Sequence, residues 1–166
     1  MKRSGTILIA WLFLFLACST TQGAEGSIYR TVWLRQDFDT VGQWMQAHQS
    51  EISDACKYRV LKRDGSNLLV ERQTAKGLFR FTVREVLIIV DGRADYEATV
   101  MPDDNIRRGR TRVVVSRYAK GTNIETWMDA SVTAPGISSL DVRVGLNASY
   151  RGFERLLLDD LGRLKD

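Results

Sequence analysis

The last residues of the chain, Gly145 to Asp166, read as one amphipathic helix, and they follow about seventy-five residues that read almost wholly as β-hairpins. That order predicts a sheet closed by a terminal helix. Apolar residues at Leu146, Tyr150, Phe153, Leu157, Leu161 and Leu164 keep the three-and-four spacing that paints one stripe on a helix, and Leu156 and Leu158 widen it. Arg151, Glu154, Arg155, Asp159, Asp160, Arg163 and Lys165 fill the opposite face. A stripe this strong needs a large apolar partner, because its burial is what stabilises the helix.

The hairpins supply that partner. Ile28 to Leu34 is β-branched and aromatic, as a strand is. Asp37 then reads as an N-cap for a short helix over Phe38 to Ala47, with Phe38, Val41, Trp44 and Met45 on one side. Ser50 to Ala55 reads as a second helical turn, capped by Ser50 and with Ile52 inward. From Lys57 the period changes to two. Tyr58 to Arg63 and Asn67 to Gln73 flank the turn Asp64-Gly65-Ser66; Leu78 to Val90 turns at Asp91-Gly92 into Arg93 to Met101; Thr111 to Ala119 and Thr122 to Val132 flank Lys120-Gly121. The predicted fold class is α+β, a curved antiparallel sheet of about seven strands with two short helices and a long C-terminal helix.

Alternation assigns an interior. Phe79, Phe81, Val83, Leu87 and Ile89 share one face of the longest strand, and Tyr96, Ala98 and Val100 look the same way, as do Ile124, Met128, Ala130 and Val132. Trp127, with Glu125 and Asp129 as face-mates, looks outward. Tyr29, Trp33, Trp44, Phe79, Phe81, Tyr96 and Phe153 supply aromatic surface suited either to a pocket for an apolar ligand or to a packed core.

The N-terminus is of another kind. Lys2 and Arg3 precede an apolar run from Ile7 to Ala17, and small and polar residues follow to Ala24, the pattern of a secretory signal peptide. A helix over that run covers about 16 Å, against the roughly 30 Å of hydrocarbon that a spanning helix crosses. Cleavage after Gly23 or Ala24 is expected, so residues 1–24 are read as signal and residues 25–166 as one exported domain, periplasmic or secreted. Leu16-Ala17-Cys18-Ser19 has the small residue before cysteine of a bacterial lipoprotein signal, with Phe15 where such signals usually have Leu; lipidation of Cys18 would associate the domain with a membrane. Beyond the signal only Cys56 remains, which excludes an internal disulfide.

The full chain has 24 Lys and Arg against 20 Asp and Glu, and loss of Lys2 and Arg3 lowers the net charge from +4 to +2. That is no nucleic-acid signature, and no nucleic-acid partner is expected. The cluster Arg107, Arg108, Arg110 and Arg112 reads as a solvated hairpin mouth, with an anion site as the alternative. His48 is the only histidine, at the end of the first helix, so metal ligation and Ser-His-Asp chemistry lack donors, and no metal or cofactor is expected.

The succession of strand, two short helices, six strands in hairpin order and a long helix resembles the helix-grip fold of START-like proteins, the SRPBCC superfamily with its birch-pollen-allergen and polyketide-cyclase relatives. Ile28 to Leu34, Trp44, the strands from Lys57 and the helix from Gly145 carry the resemblance, over residues 27–166. The glycine-rich loop of the allergens has no counterpart, since Asp64-Gly65-Ser66 is too short. The resemblance implies an apolar cavity between sheet and terminal helix that takes a lipid or other hydrophobic small molecule; here Phe79, Phe81, Val83, Glu85, Tyr96, Ala98, Met128, Phe153 and Leu157 would line it, with Tyr96 or Glu85 orienting the ligand.

Glu85 stands in line with Phe81, Val83 and Leu87 on the apolar face. A carboxylate there is paired, protonated or turned out by a β-bulge. Paired, it meets an arginine of a neighbouring strand; protonated, it is the acid or base of a cyclase or hydratase. A third reading is a non-enzymatic envelope protein that meets a partner through Trp127 or the Arg107 to Arg112 cluster.

Overall fold

Glycines set the hairpins. Gly65 and Gly92 take positive φ of 57° and 71° in tight turns, a region that L-residues rarely visit. In the computed structural model, which describes residues 23–52, 57–73 and 80–162, the strands are β1 (Ala24–Leu34), β2 (Lys57–Asp64), β3 (Asn67–Gln73), β4 (Arg80–Val90), β5 (Arg93–Val100), β6 (Ile106–Tyr118) and β7 (Gly121–Val132). All neighbours are antiparallel, in the order β1-β7-β6-β5-β4-β3-β2. Helix α1 (Phe38–Ala47) and a 3-10 turn (Gln49–Glu51) link β1 to β2, and α2 (Ser139–Leu161) follows β7. This is the expected α+β helix-grip arrangement.

Local chemistry explains the helix ends. Asp37 caps α1 by accepting from the Thr40 backbone at 2.8 Å. Ser138 and Asp141 form a reciprocal capping box at the start of α2, and Gly162 ends that helix with φ of 73°. Helix α2 therefore runs from Ser139 to Leu161 rather than from Gly145 to Asp166. The first turns were hidden because Leu140 and Val144 point outward, so only Val142 there keeps the inward period.

Other boundaries also move. β1 begins at Ala24, before Ile28, because Ala24 pairs with Val132 across the sheet. β6 begins at Ile106, before Thr111, with a bulge between Ile106 and Arg108. The arginine cluster is thus a strand and no hairpin mouth, and three of its members have acidic cross-strand partners: Arg108 with Asp129, Arg110 with Glu97 and Arg112 with Asp95. Of the expected second helix over Ser50 to Ala55, the described part belongs to the 3-10 turn Gln49–Glu51, which His48 precedes as N-cap, so Ser50 lies inside the turn rather than capping it; residues 53–55 lie outside the described residues. Tyr29 and Trp33 face out from β1 and contribute nothing to the interior. Residues 1–22 with Cys18, and Cys56, Phe79 and Leu164, lie outside the described residues.

The core forms where α2 crosses the concave face of the sheet. Tyr150, Phe153 and Leu157 of α2 pack with Phe38, Val41, Trp44 and Met45 of the α1 segment and with Leu87, Tyr96, Val113 and Ile124 of the sheet. The two helices are also tied directly: Trp44 donates its indole N–H to Asp160 at 2.7 Å, and Gln36 donates to the Leu161 carbonyl at 3.2 Å. At its other end α2 sits hard on β1. A Cβ on Gly26 would lie 2.8 Å from Arg143 Cγ and 3.1 Å from Val142 Cγ1.

Two measurements check this account. Leu157 is fully buried whereas Leu140 is 70% exposed, so Leu157→Ala should cost about 2–5 kcal/mol in urea denaturation and Leu140→Ala less than about 0.5 kcal/mol. Hydrogen bonds from Ser138 hold the Asp141 carboxyl below its ordinary value of 3.8. A lowered folded-state value stabilises the protein above the ordinary value and loses that stabilisation as pH falls through the lowered one. The stability gap between the parent and Asp141→Asn should accordingly close as pH is taken down through the carboxylate range.

Candidate functional site

Residue size, row by row across the concave face, decides where the sheet is filled and where it is hollow. One cross-strand row runs Leu87, Tyr96, Val113, Thr126, and there Tyr96 fills the space under α2. The next row runs Glu85, Ala98, Thr111, Met128, Ile28. Beyond it Gly109, Ala130 and Gly26 stand side by side on β6, β7 and β1. Small side chains at Ala98 and Ala130 leave the floor low, and a cavity of about 140 Å³ lies there under the N-terminal half of α2. Its walls are Phe81, Val83, Val100, Met128, Ala130 and Val132 of the sheet and Leu146 of α2, with Arg72, Arg110, Thr111, Asp129 and Ser149 as polar neighbours. Gly109 has no room for more: a Cβ would meet Val100 Cγ2 at 2.6 Å.

Of the residues proposed from sequence, Phe81, Val83, Ala98 and Met128 come together in this cavity. Tyr96, Phe153 and Leu157 are packed in the core beside it, each essentially without exposed surface, and do not line it. Phe79 is outside the described residues. Glu85 is buried on the concave face, with no exposed surface, and its carboxylate accepts from Arg72 of β3 at 2.5 Å. The bulge that would have turned it outward is absent from the β3–β4 and β4–β5 pairings. It also does not line the cavity; Arg72 does.

Arg72 ties three parts of the molecule together. The same terminal nitrogen that reaches Glu85 donates to the Ser50 carbonyl of the 3-10 turn at 2.7 Å, and the guanidinium lies 5.8 Å from the Tyr58 ring of β2. Gln49 adds a bond to the Ser66 carbonyl at 2.7 Å. An ion pair this deep is costly to desolvate and holds only as a complete unit. Arg72 was readable in the sequence, since it alternates with Leu68 and Val70 toward the interior. Thr111 alternates likewise with Val113 and Val115, and Ser149 lies three residues after Leu146 and four before Phe153, on the same helix face.

The outer face of the sheet has a different character. Tyr29 and Trp127 pack at 5.1 Å, Arg112 lies 5.9 Å from the Trp127 ring, and Trp127 is 38% exposed. Arg93 bonds Asp95 at 2.6 and 3.1 Å and, with Arg112 adding a bond, holds that carboxyl below its ordinary 3.8. His48 stacks on Trp44 at 4.8 Å, with Nε2 3.7 Å from Asp160, which makes it part of the joint between α1 and α2. Among the described residues no group of three or more His, Cys, Asp or Glu could hold a metal ion, and no helix is long and apolar enough to cross a membrane.

No family model and no curated protein matches this sequence. Solved structures do match its fold. A START superfamily protein from Mycobacterium smegmatis aligns with a TM-score of 0.59 at 11% identity, over 81% of this chain and 96% of that one. The Zhui aromatase/cyclase from Streptomyces sp. R1128 gives 0.59 at 14% identity, over 82% and 91%. A STAR-related lipid transfer protein from Xanthomonas axonopodis gives 0.59 at 16% identity, over 81% and 85%. At such identities the likeness is one of fold: the chain has the helix-grip architecture of START-like proteins.

The buried pair should behave as a unit under mutation. Arg72→Met and Glu85→Leu should each cost about 3–5 kcal/mol by chemical denaturation, because each strands the partner's buried charge or hydrogen-bonding capacity. The double variant Arg72→Met/Glu85→Leu should be less destabilised than either, which a double-mutant cycle reads directly.

Proposed function

We propose that this protein is an exported binding protein for a compact hydrophobic molecule, held in the cavity between the sheet and α2. The observation that carries the reading is the low floor at Ala98 and Ala130, which leaves about 140 Å³ among mostly apolar side chains. An apolar cavity of about 150 Å³ accepts benzene, whereas pockets for drug-sized ligands start near 300 Å³. Size therefore favours a single ring or a short chain over a sterol or a two-chain lipid. The names of two neighbours in fold, a lipid transfer protein and an aromatase/cyclase, agree with a hydrophobic ligand in general terms.

Binding is better supported than catalysis. A cyclase or hydratase reading rests on Glu85 acting on the ligand, and its carboxylate is turned to Arg72 rather than into the cavity. A role confined to protein docking through Trp127 leaves the cavity without a purpose. The signal-peptide reading of residues 1–24 puts the binding protein in the periplasm or outside the cell, tethered to a membrane if Cys18 is lipidated.

Calorimetric titration with hydrophobic molecules of graded size tests the proposal. Toluene-sized molecules should bind and cholesterol should not. Ala98→Phe should fill the floor, abolish binding and keep cooperative unfolding, at an overpacking cost of about 1–3 kcal/mol. Undiminished binding by that variant would place the ligand elsewhere and overturn the reading.

A further inference from the structure

We infer that the cavity is built for a neutral ligand carrying one hydroxyl group, a single-ring phenol or an alcohol of similar size, rather than for a fatty acid or a plain hydrocarbon. The inference rests on the proposed function and goes further, from shape to chemistry. Two hydroxyl-bearing residues line the cavity from opposite walls: Thr111 on the sheet floor, in register between Ala98 and Met128, and Ser149 on α2. Among the described residues neither hydroxyl has a hydrogen-bond partner. Both are partly buried. Each can donate and accept, so one ligand hydroxyl between them can accept from one and donate to the other. A plain hydrocarbon in the same place would take these groups from water and give nothing back, which hydrogen-bonding sites discriminate against strongly.

Charge argues against an anionic ligand. Three ionised residues border the cavity, Arg72, Arg110 and Asp129, and each already has a partner of opposite charge: Arg72 has Glu85 at 2.5 Å, Arg110 has Glu97 at 2.7 Å and Asp129 has Arg108 at 3.0 Å. A carboxylate in the cavity would add a second buried negative charge to a pair already balanced, which burial makes unfavourable. The remaining wall contributions from Phe81, Val83, Val100, Met128 and Leu146 are apolar. Compact, neutral and singly hydroxylated is the class that satisfies volume, hydroxyls and charge together.

Three molecules of one shape separate the terms: p-cresol, toluene and p-toluate, titrated into the full-length protein by calorimetry at neutral pH. We expect p-cresol to bind about ten-fold or more tighter than toluene, and p-toluate to bind weakest. In Thr111→Val/Ser149→Ala, p-cresol should fall to the affinity of toluene while toluene is unchanged or improved, which also shows that the variant still folds around its cavity. Equal affinity for p-cresol and toluene in the parent, or tightest binding by p-toluate, would overturn the hydroxyl inference and leave the cavity reading standing. Failure of all three to bind would remove both.

Discussion

The seat of α2 on the sheet is the constraint on which the rest of the structure depends. At one end the helix is pressed onto β1, where Gly26 lets Val142 and Arg143 approach more closely than any side chain would allow. At the other it is held by Trp44 through Asp160 and by Gln36 through the Leu161 carbonyl, over the packed cluster of Tyr150, Phe153 and Leu157. Fixed at both ends, the helix cannot sink where the floor is low. Close packing elsewhere is thus what keeps the region above Ala98 and Ala130 open, because a void persists only when its surroundings resist collapse.

The same face holds a second constraint of opposite polarity. Arg72 and Glu85 occupy interior positions that two apolar residues could fill, and the pair reaches the Ser50 carbonyl to fasten the connection after α1 to the sheet. Buried ion pairs add little net stability compared with well-packed apolar replacements. What this one supplies is geometry: it sets where the 3-10 turn lies and presents a guanidinium to the cavity. Its electrical neutrality then limits what charge the cavity can accept.

On the outer face, cross-strand pairs replace a second layer. Arg108, Arg110 and Arg112 read in the sequence as a block of positive charge, but the register sets each of them beside an acid from β7 or β5. Opposite charges placed across a ladder stabilise pairing modestly and offset the positive charge of these three arginines. A linear run of like charge says little until the neighbouring strands are known.

The chain sequence by itself determined the architecture. The stripe from Leu146 to Leu161, the Asp37 cap and the turns at Gly65, Gly92 and Gly121 are local signals, each a property of a few adjacent residues, and local periodicity is what sequence displays. Alternation was enough to turn Val83, Glu85, Ala98 and Met128 inward. It failed at the start of α2, where Leu140 and Val144 face out, and at Tyr29 and Trp33, whose aromatic character suggested an interior that their strand face denies. Only the tertiary structure decided which inward residues meet a cavity and which meet one another. Tyr96 and Ala98 share a face of one strand, yet one fills its row and the other leaves it open, and Arg72 finds Glu85 from a different strand. Those outcomes depend on which side chains stand opposite across several strands and on where a distant helix is held, and no stretch of sequence contains that information.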